Sequence, residues 1–122
     1  MKVAIPTDEK GLEGNVAEHF GRAMKFVIVE VGKSGIKVLK TLEGPFVEHS
    51  PSELPKLLKE EGVDIVVVAG IGRRAMEEFS KRGIRIMSVS AKSVKEIMKE
   101  MIKGMVETGK EMIKAGFESM KP

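Results

Sequence analysis

Two histidines, His19 and His49, carry most of the coordinating capacity of this chain, and they stand in unlike surroundings. His19 closes a long polar, glycine-bearing segment and is followed by Phe20, Gly21 and Arg22. An imidazole ligates iron and other transition metals, a glycine lets backbone approach a bulky ligand, and an arginine fork pairs with an anion. The inert alternatives are a histidine that hydrogen-bonds at the start of the next strand and an arginine in a surface ion pair. His49 precedes Ser50-Pro51-Ser52-Glu53, a helix start, where the positive end of the dipole disfavours imidazolium and leaves a ring able to coordinate. A solvated loop histidine is the alternative there.

A third constellation is Gly70-Ile71-Gly72-Arg73-Arg74-Ala75, which fits G-x-G-x-x-A between a strand and a helix, where backbone N–H groups face an anion. A dinucleotide site would need an acid near the end of the following strand, and Ser88 to Lys92 contains none. The segment is therefore expected to contact an anion or a metal cluster, or to make a tight turn. Nuclease chemistry needs carboxylates gathered around paired metals, yet Val3-Ala4-Ile5 has none, and the only aspartates are Asp8 in a loop and Asp64 at the start of a strand. No Ser-His-Asp or Cys-His order suggests a nucleophile. Binding without catalysis is the expectation.

The elements that must position these residues follow from hydrophobic pattern. Residues 2–5 form an apolar strand ended by Pro6, and a polar loop spans 7–18. Residues 25–31 and 36–42 are β-rich runs around Gly32-Lys33-Ser34-Gly35, a hairpin signal, with the second run alternating as an edge strand with one wet face. Beyond them the pattern turns to helix and strand in alternation. Ser52 caps the first helix with Pro55 inside the first turn, and Gly62 ends it. Residues 63–69 are apolar and β-branched, as in a strand covered on both faces, and the unit recurs as a helix over 74–82, Gly83 and a strand over 84–89. A helix joining two strands implies parallel pairing. Residues 93–120 place Val94, Ile97, Met98, Met101, Ile102, Met105, Val106, Met112, Ile113 and Phe117 on one helical face, with a break near Gly109. That stripe is read as core or oligomer packing, or else as a soft-metal or partner surface.

With 122 residues the chain holds one core, and with no cysteine it offers neither disulfides nor a thiolate cradle for a cluster. Interspersed charges at net +3, with no tryptophan or tyrosine, argue against a nucleic-acid stripe or stacking platform. No apolar run approaches the roughly 20 residues of a membrane span, and Met1 leads into a strand instead of a signal peptide, so a cytoplasmic protein is expected. A single asparagine, no glutamine and no cysteine fit the composition of a thermophile.

Two stretches resemble the dinitrogenase iron-molybdenum cofactor-binding family: Val3-Ala4-Ile5-Pro6-Thr7 leading to His19-Phe20-Gly21-Arg22-Ala23, and Gly62 to Gly72 followed by Ala75 and Gly83-Ile84. The resemblance covers residues 1–105. It implies a ribonuclease H-like α/β fold of three layers, α/β/α, with a five-stranded mixed sheet of order 3-2-1-4-5 and strand 2 antiparallel. Residues 106–122 would be a C-terminal helical extension. It also implies a non-enzymatic carrier of an iron-molybdenum or iron-sulfur type cluster, working with cofactor-biosynthesis proteins. His19 matches the cofactor histidine of that family, and His49 is the candidate second metal ligand. Phe20, Gly21, Arg22, Gly70, Ile71, Gly72 and Arg73 complete the expected site, which should lie at the carboxyl ends of strands 1 and 4 under a mobile 7–21 loop. The rival expectation is a regulatory or partner-binding module, or a homo-oligomer, that uses the Met-rich C-terminal helix and no cofactor.

Overall fold

A computed structural model describes residues 1–44, 46, 52–90 and 92–108. Five strands, β1 (Lys2–Thr7), β2 (Lys25–Gly32), β3 (Gly35–Glu43), β4 (Ile65–Val68) and β5 (Arg85–Ser88), form one sheet of order β3-β2-β1-β4-β5. β2 runs antiparallel to β1 and β3, while β4 is parallel to β1 and β5. The expected order and the antiparallel second strand are both present. β1 is central, as its unbroken apolar run requires: Val3 and Ile5 face one side and Ala4 the other, and all three are fully buried.

Helices cover both faces, giving the three expected layers. α1 (Glu53–Glu60) and α2 (Arg73–Lys81) bury Leu54, Leu58 and Phe79 against Ala4, Phe26, Ile28, Val66 and Val68. α3 (Val94–Thr108) buries Val94, Ile97 and Met101 against Val3, Ile5, Val27, Val29, Ile65 and Val67. α1 starts after Ser52 with Pro55 in its first turn, as expected, but the Ser52 side chain makes no capping hydrogen bond. α3 opens on a reciprocal cap in which the Glu96 N–H donates to Ser93 Oγ at 3.1 Å and the Ser93 hydroxyl donates to the Glu96 carboxylate at 3.1 Å. α3 continues through residue 105 to Thr108. The expected break near Gly109 lies outside the described residues.

The two helix-strand corners are the same device. Gly62 at φ +80° and Gly83 at φ +73° each take the left-handed conformation just past a helix. The next residues, Val63 and Ile84, then donate back to Leu58 and Phe79 carbonyls at 3.1 and 3.0 Å. At the last turn of α2, Arg82 and Lys81 both bond the Glu78 carboxylate and hold its pKa below the ordinary value.

One expectation about β3 needs correction. It is the edge strand, but its alternation does not survive, because a register shift pairs Ile28 with Lys40 and Val29 with Val38, leaving Leu39 bulged. Val38 and Leu39 are consequently 38% and 39% exposed. No helix among the described residues is long and apolar enough to cross a membrane.

Phe79 is fully buried and meets Phe20 edge to face at 5.2 Å. Phe79→Ala is expected to cost about 3–5 kcal/mol, read as a lowered urea midpoint at unchanged slope. A loss under about 1 kcal/mol would show that the α2 face can collapse into the void.

Candidate functional site

The chain leaves β1 at Thr7 and immediately folds back beside it. Asp8 starts the turn: its Oδ1 accepts from the Lys10 N–H at 3.0 Å and its Oδ2 from the Asn15 N–H at 3.2 Å. Asp8 N–H donates to Asn15 O at 3.1 Å and Ala17 N–H to Pro6 O at 2.9 Å, so residues 15–17 return antiparallel to the end of β1. The far edge of that returning limb meets the segment after β5, with Val16 N–H on Lys92 O at 2.9 Å and Val94 N–H on Gly14 O at 3.0 Å. A Lys95–Glu13 ion pair at 2.7 Å closes the same junction. The expected mobile lid is therefore a bonded wall, held on both edges by backbone hydrogen bonds.

Residues 19–24 continue the wall through a short 3-10 turn, Phe20–Arg22. Phe20 and Ala23 point inward, 3% and 2% exposed, whereas His19, Arg22 and Met24 are exposed and line one cleft. The Phe20 N–H donates to Gly70 O at 2.8 Å, which docks this stretch on the turn after β4. The contact requires Gly70, because a Cβ there would sit 2.6 Å from Glu18 O and 3.8 Å from His19 Nδ1.

The cleft has a volume of about 610 Å³, within the ~300–1,000 Å³ of ordinary ligand pockets. Besides His19, Arg22 and Met24 it is bounded by Asp8, Glu9, Asn15, Glu18 and Lys92, together with the apolar Val16 and Ala17. Several of these charges are already engaged. Asp8 serves backbone amides, and the Lys92 ammonium bonds both Glu100 oxygens at 2.8 Å. The Arg22 side chain makes no hydrogen bond or ion pair among the described residues, which leaves its five donors for a ligand.

The sequence-derived site is thus partly assembled. His19 and Arg22 share the cleft, and Gly70 supports it from beneath. Gly21 is exposed, and a Cβ added there would meet nothing within 4 Å. Phe20 is buried as an anchor, and Ile71 packs against the core beneath α2. Gly72 is the N-terminal cap of α2, and Arg73 opens onto a separate groove with Met76, Glu77 and Ile86. His49 lies outside the described residues. Sequence reasoning missed Met24 and Lys92, which reach the cleft only through the pairing of β2 with β1 and the docking of the post-β5 segment.

The donor chemistry discriminates between kinds of metal ligand. Among the described residues no group of three or more His, Cys, Asp or Glu side chains is gathered to hold an ion. A bare cation takes about four to eight ligands. A preassembled metal-sulfur cluster brings most of its own ligands together with negative charge. One imidazole, one thioether and one guanidinium, beside the carboxylates of Glu9 and Glu18, supply a few contacts of the kind a ready-made cluster needs and not the converging set that a bare ion needs.

Gly70→Ala is expected to destabilise the fold by about 1–3 kcal/mol, since the new methyl meets the Glu18 carbonyl in a stretch that the Phe20–Gly70 hydrogen bond holds close. Denaturant titration checks this, and an unchanged midpoint would mean that the His19 wall is not docked as described.

Comparison with known proteins supplies the lineage. MJ0580 of Methanocaldococcus jannaschii, an uncharacterized protein, is 30% identical over 99 residues, covering 79% of this chain and 80% of its own. The crystal structure of PH0822 is 38% identical, covers 85% of this chain and 92% of that one, and superposes with a TM-score of 0.77. The apo form of the orange protein from Desulfovibrio gigas, at 18% identity, shares the fold alone, with a TM-score of 0.67 over 84% of this chain and 88% of that one. Residues 1–104, which hold the whole sheet and the His19 cleft, match the dinitrogenase iron-molybdenum cofactor family, and the chain belongs to it.

Proposed function

We propose that this protein binds and carries a metal cofactor of the iron-molybdenum or iron-sulfur type, or a precursor of one, without transforming it. The observation that supports this reading best is the exposure of His19 and Arg22 on one rigid wall of a cleft of about 610 Å³. Family membership points the same way. His19 would give a ring nitrogen to a metal of the cluster, and the guanidinium of Arg22 would offset the cluster's charge. Phe20 and Gly70 hold the backbone of that wall against β4 and α2, so only the two side chains need ordering when the cargo arrives. The cluster, as cargo, supplies redox-active metal to whichever cofactor-biosynthesis protein receives it.

The positions of the aspartates weigh against a phosphoryl-transfer enzyme on this fold. Asp8 is bonded to backbone amides, and Asp64, at the amino end of β4, accepts the Lys2 N–H at 2.8 Å. Asp8 follows the carboxyl end of β1 and Asp64 precedes the amino end of the parallel β4, so the two do not converge on paired metals.

The reading is tested by anaerobic titration with a cluster donor, followed by visible absorption. The native protein should bind, His19→Ala should weaken binding about ten-fold or more, and Arg22→Gln should weaken it less and make it less sensitive to salt. No absorbing complex with the native chain, or equal binding by His19→Ala, removes the proposal.

A partner-binding role has one observation of its own. Val38 and Leu39 at the β3 edge and Ile102 on α3 are all exposed, at 38%, 39% and 40%, and α3 packs beside β3. A homo-oligomer through this flank and the Met-rich C-terminal segment would cover them. Sedimentation at tens of micromolar should then report a dimer that Ile102→Lys converts to monomer, and a monomeric native chain would count against it.

A further inference from the structure

We propose that the thioether of Met24 is a second protein donor beside His19, which makes the cleft selective for a soft, thiophilic metal centre over a hard, oxygen-liganded ion. The inference rests on the carrier reading and names the class of cargo that the same site prefers.

The first ground is the way the wall is threaded. Between residues 19 and 24 the chain buries Phe20 and Ala23 and turns His19, Arg22 and Met24 into the cleft, so two hydrophobic anchors set the order of imidazole, guanidinium and thioether. The second is the fixing of the Met24 backbone. Its N–H donates to Thr7 O at 2.8 Å, its carbonyl accepts the Gly44 N–H at 2.8 Å, and the next residue, Lys25, is already paired with Thr7 and Glu43. A flexible three-bond stem on a fixed root can sweep the cleft without moving the fold.

The third ground is exposure. Met24 is 39% exposed, and none of the other exposed large hydrophobics among the described residues, Met1, Val38, Leu39 and Ile102, lines the cleft. The other apolar residues of the lining, Val16 and Ala17, are buried, so Met24 is the one apolar side chain there, among the described residues, that stands exposed, and its sulfur is a soft ligand suited to thiophilic metals. The competing hard donors are fewer than the lining suggests. Both Asp8 oxygens accept amide hydrogen bonds that tie its carboxylate to the turn, and the carboxylates of Glu9 and Glu18 with the Asn15 amide are the oxygen alternative.

The test uses the full chain labelled with [13C-methyl]methionine, with Ag(I) as a soft diamagnetic probe and Mg(II) as a hard one. Met24→Leu, which removes the sulfur at nearly constant volume, assigns the signal. The proposal expects the Met24 methyl to shift first and saturably with Ag(I) and not with Mg(II). It further expects Met24→Leu and His19→Ala each to weaken Ag(I) binding about ten-fold or more, at an unchanged melting temperature for Met24→Leu. A shift of other methionine methyls ahead of Met24, or Ag(I) binding unchanged by Met24→Leu, overturns it. The cluster donor separates this inference from the reading beneath it. If the native chain and Met24→Leu bind the donor equally while His19→Ala does not, the carrier reading stands and the role of Met24 falls. If Ag(I) selects Met24 but no variant or native chain binds the donor, the donor pair stands and the carrier reading falls.

Discussion

The burial of one aromatic ring holds the site together. Phe20 meets Phe26 of β2 at 5.6 Å and Phe79 of α2 at 5.2 Å, both edge to face, while its amide bonds Gly70 O after β4. Each such aromatic pair is worth about 0.5–1.5 kcal/mol beyond its buried area. Because Phe20 is fixed from three elements at once, the residues on either side of it have nowhere to turn but outward. The exposure of His19 and Arg22 follows from the burial between them.

A second constraint comes from the order of the strands. β1 and its parallel neighbour β4 lead to β2 and β5 on opposite sides of the sheet, the arrangement that opens a crevice at the carboxyl edge of an α/β sheet. Here the protein fills part of that crevice with its own backbone. Residues 15–17 lie between the end of β1 and the segment after β5, each edge hydrogen-bonded, and Gly70 accepts Phe20 where an anion would otherwise meet the turn. The open cleft is displaced to the outer face of this wall. That displacement explains why His19 and Arg22 share it while Arg73 faces a different groove.

The proposed carrier role calls for a cargo that arrives largely complete. A protein that assembled a metal site from bare ions would need several anionic or imidazole donors converging on a point, and the described residues gather none. A protein that holds a finished cluster needs a few well-placed contacts, a charge of opposite sign and space. Its affinity then comes from rigidity as much as from the number of bonds, which is the property that the bonded 8–23 wall supplies.

Much of this architecture could be read from residue order alone, because it depends on local physics. The unbroken apolar run of Val3-Ala4-Ile5 marked a strand covered on both faces, and Gly62 and Gly83 marked left-handed corners that a Cβ would strain. The likeness of the His19–Arg22 stretch and of the Gly62–Gly72 stretch to one family carried the strand order. Where three-dimensional contacts intervene, that legibility ends. A bulge at Leu39 is decided by how β3 pairs with β2, not by the alternation of its own side chains. Lys92 and Met24 join His19 because β5's exit and β2's start are brought to one edge by the sheet, and no spacing within either segment records that meeting. The sequence by itself determined which segments form strands and helices, and it marked His19, Arg22 and Gly70 as candidate site residues. Only the tertiary structure decided which of those residues face one another, since that depends on pairing between segments far apart in the chain.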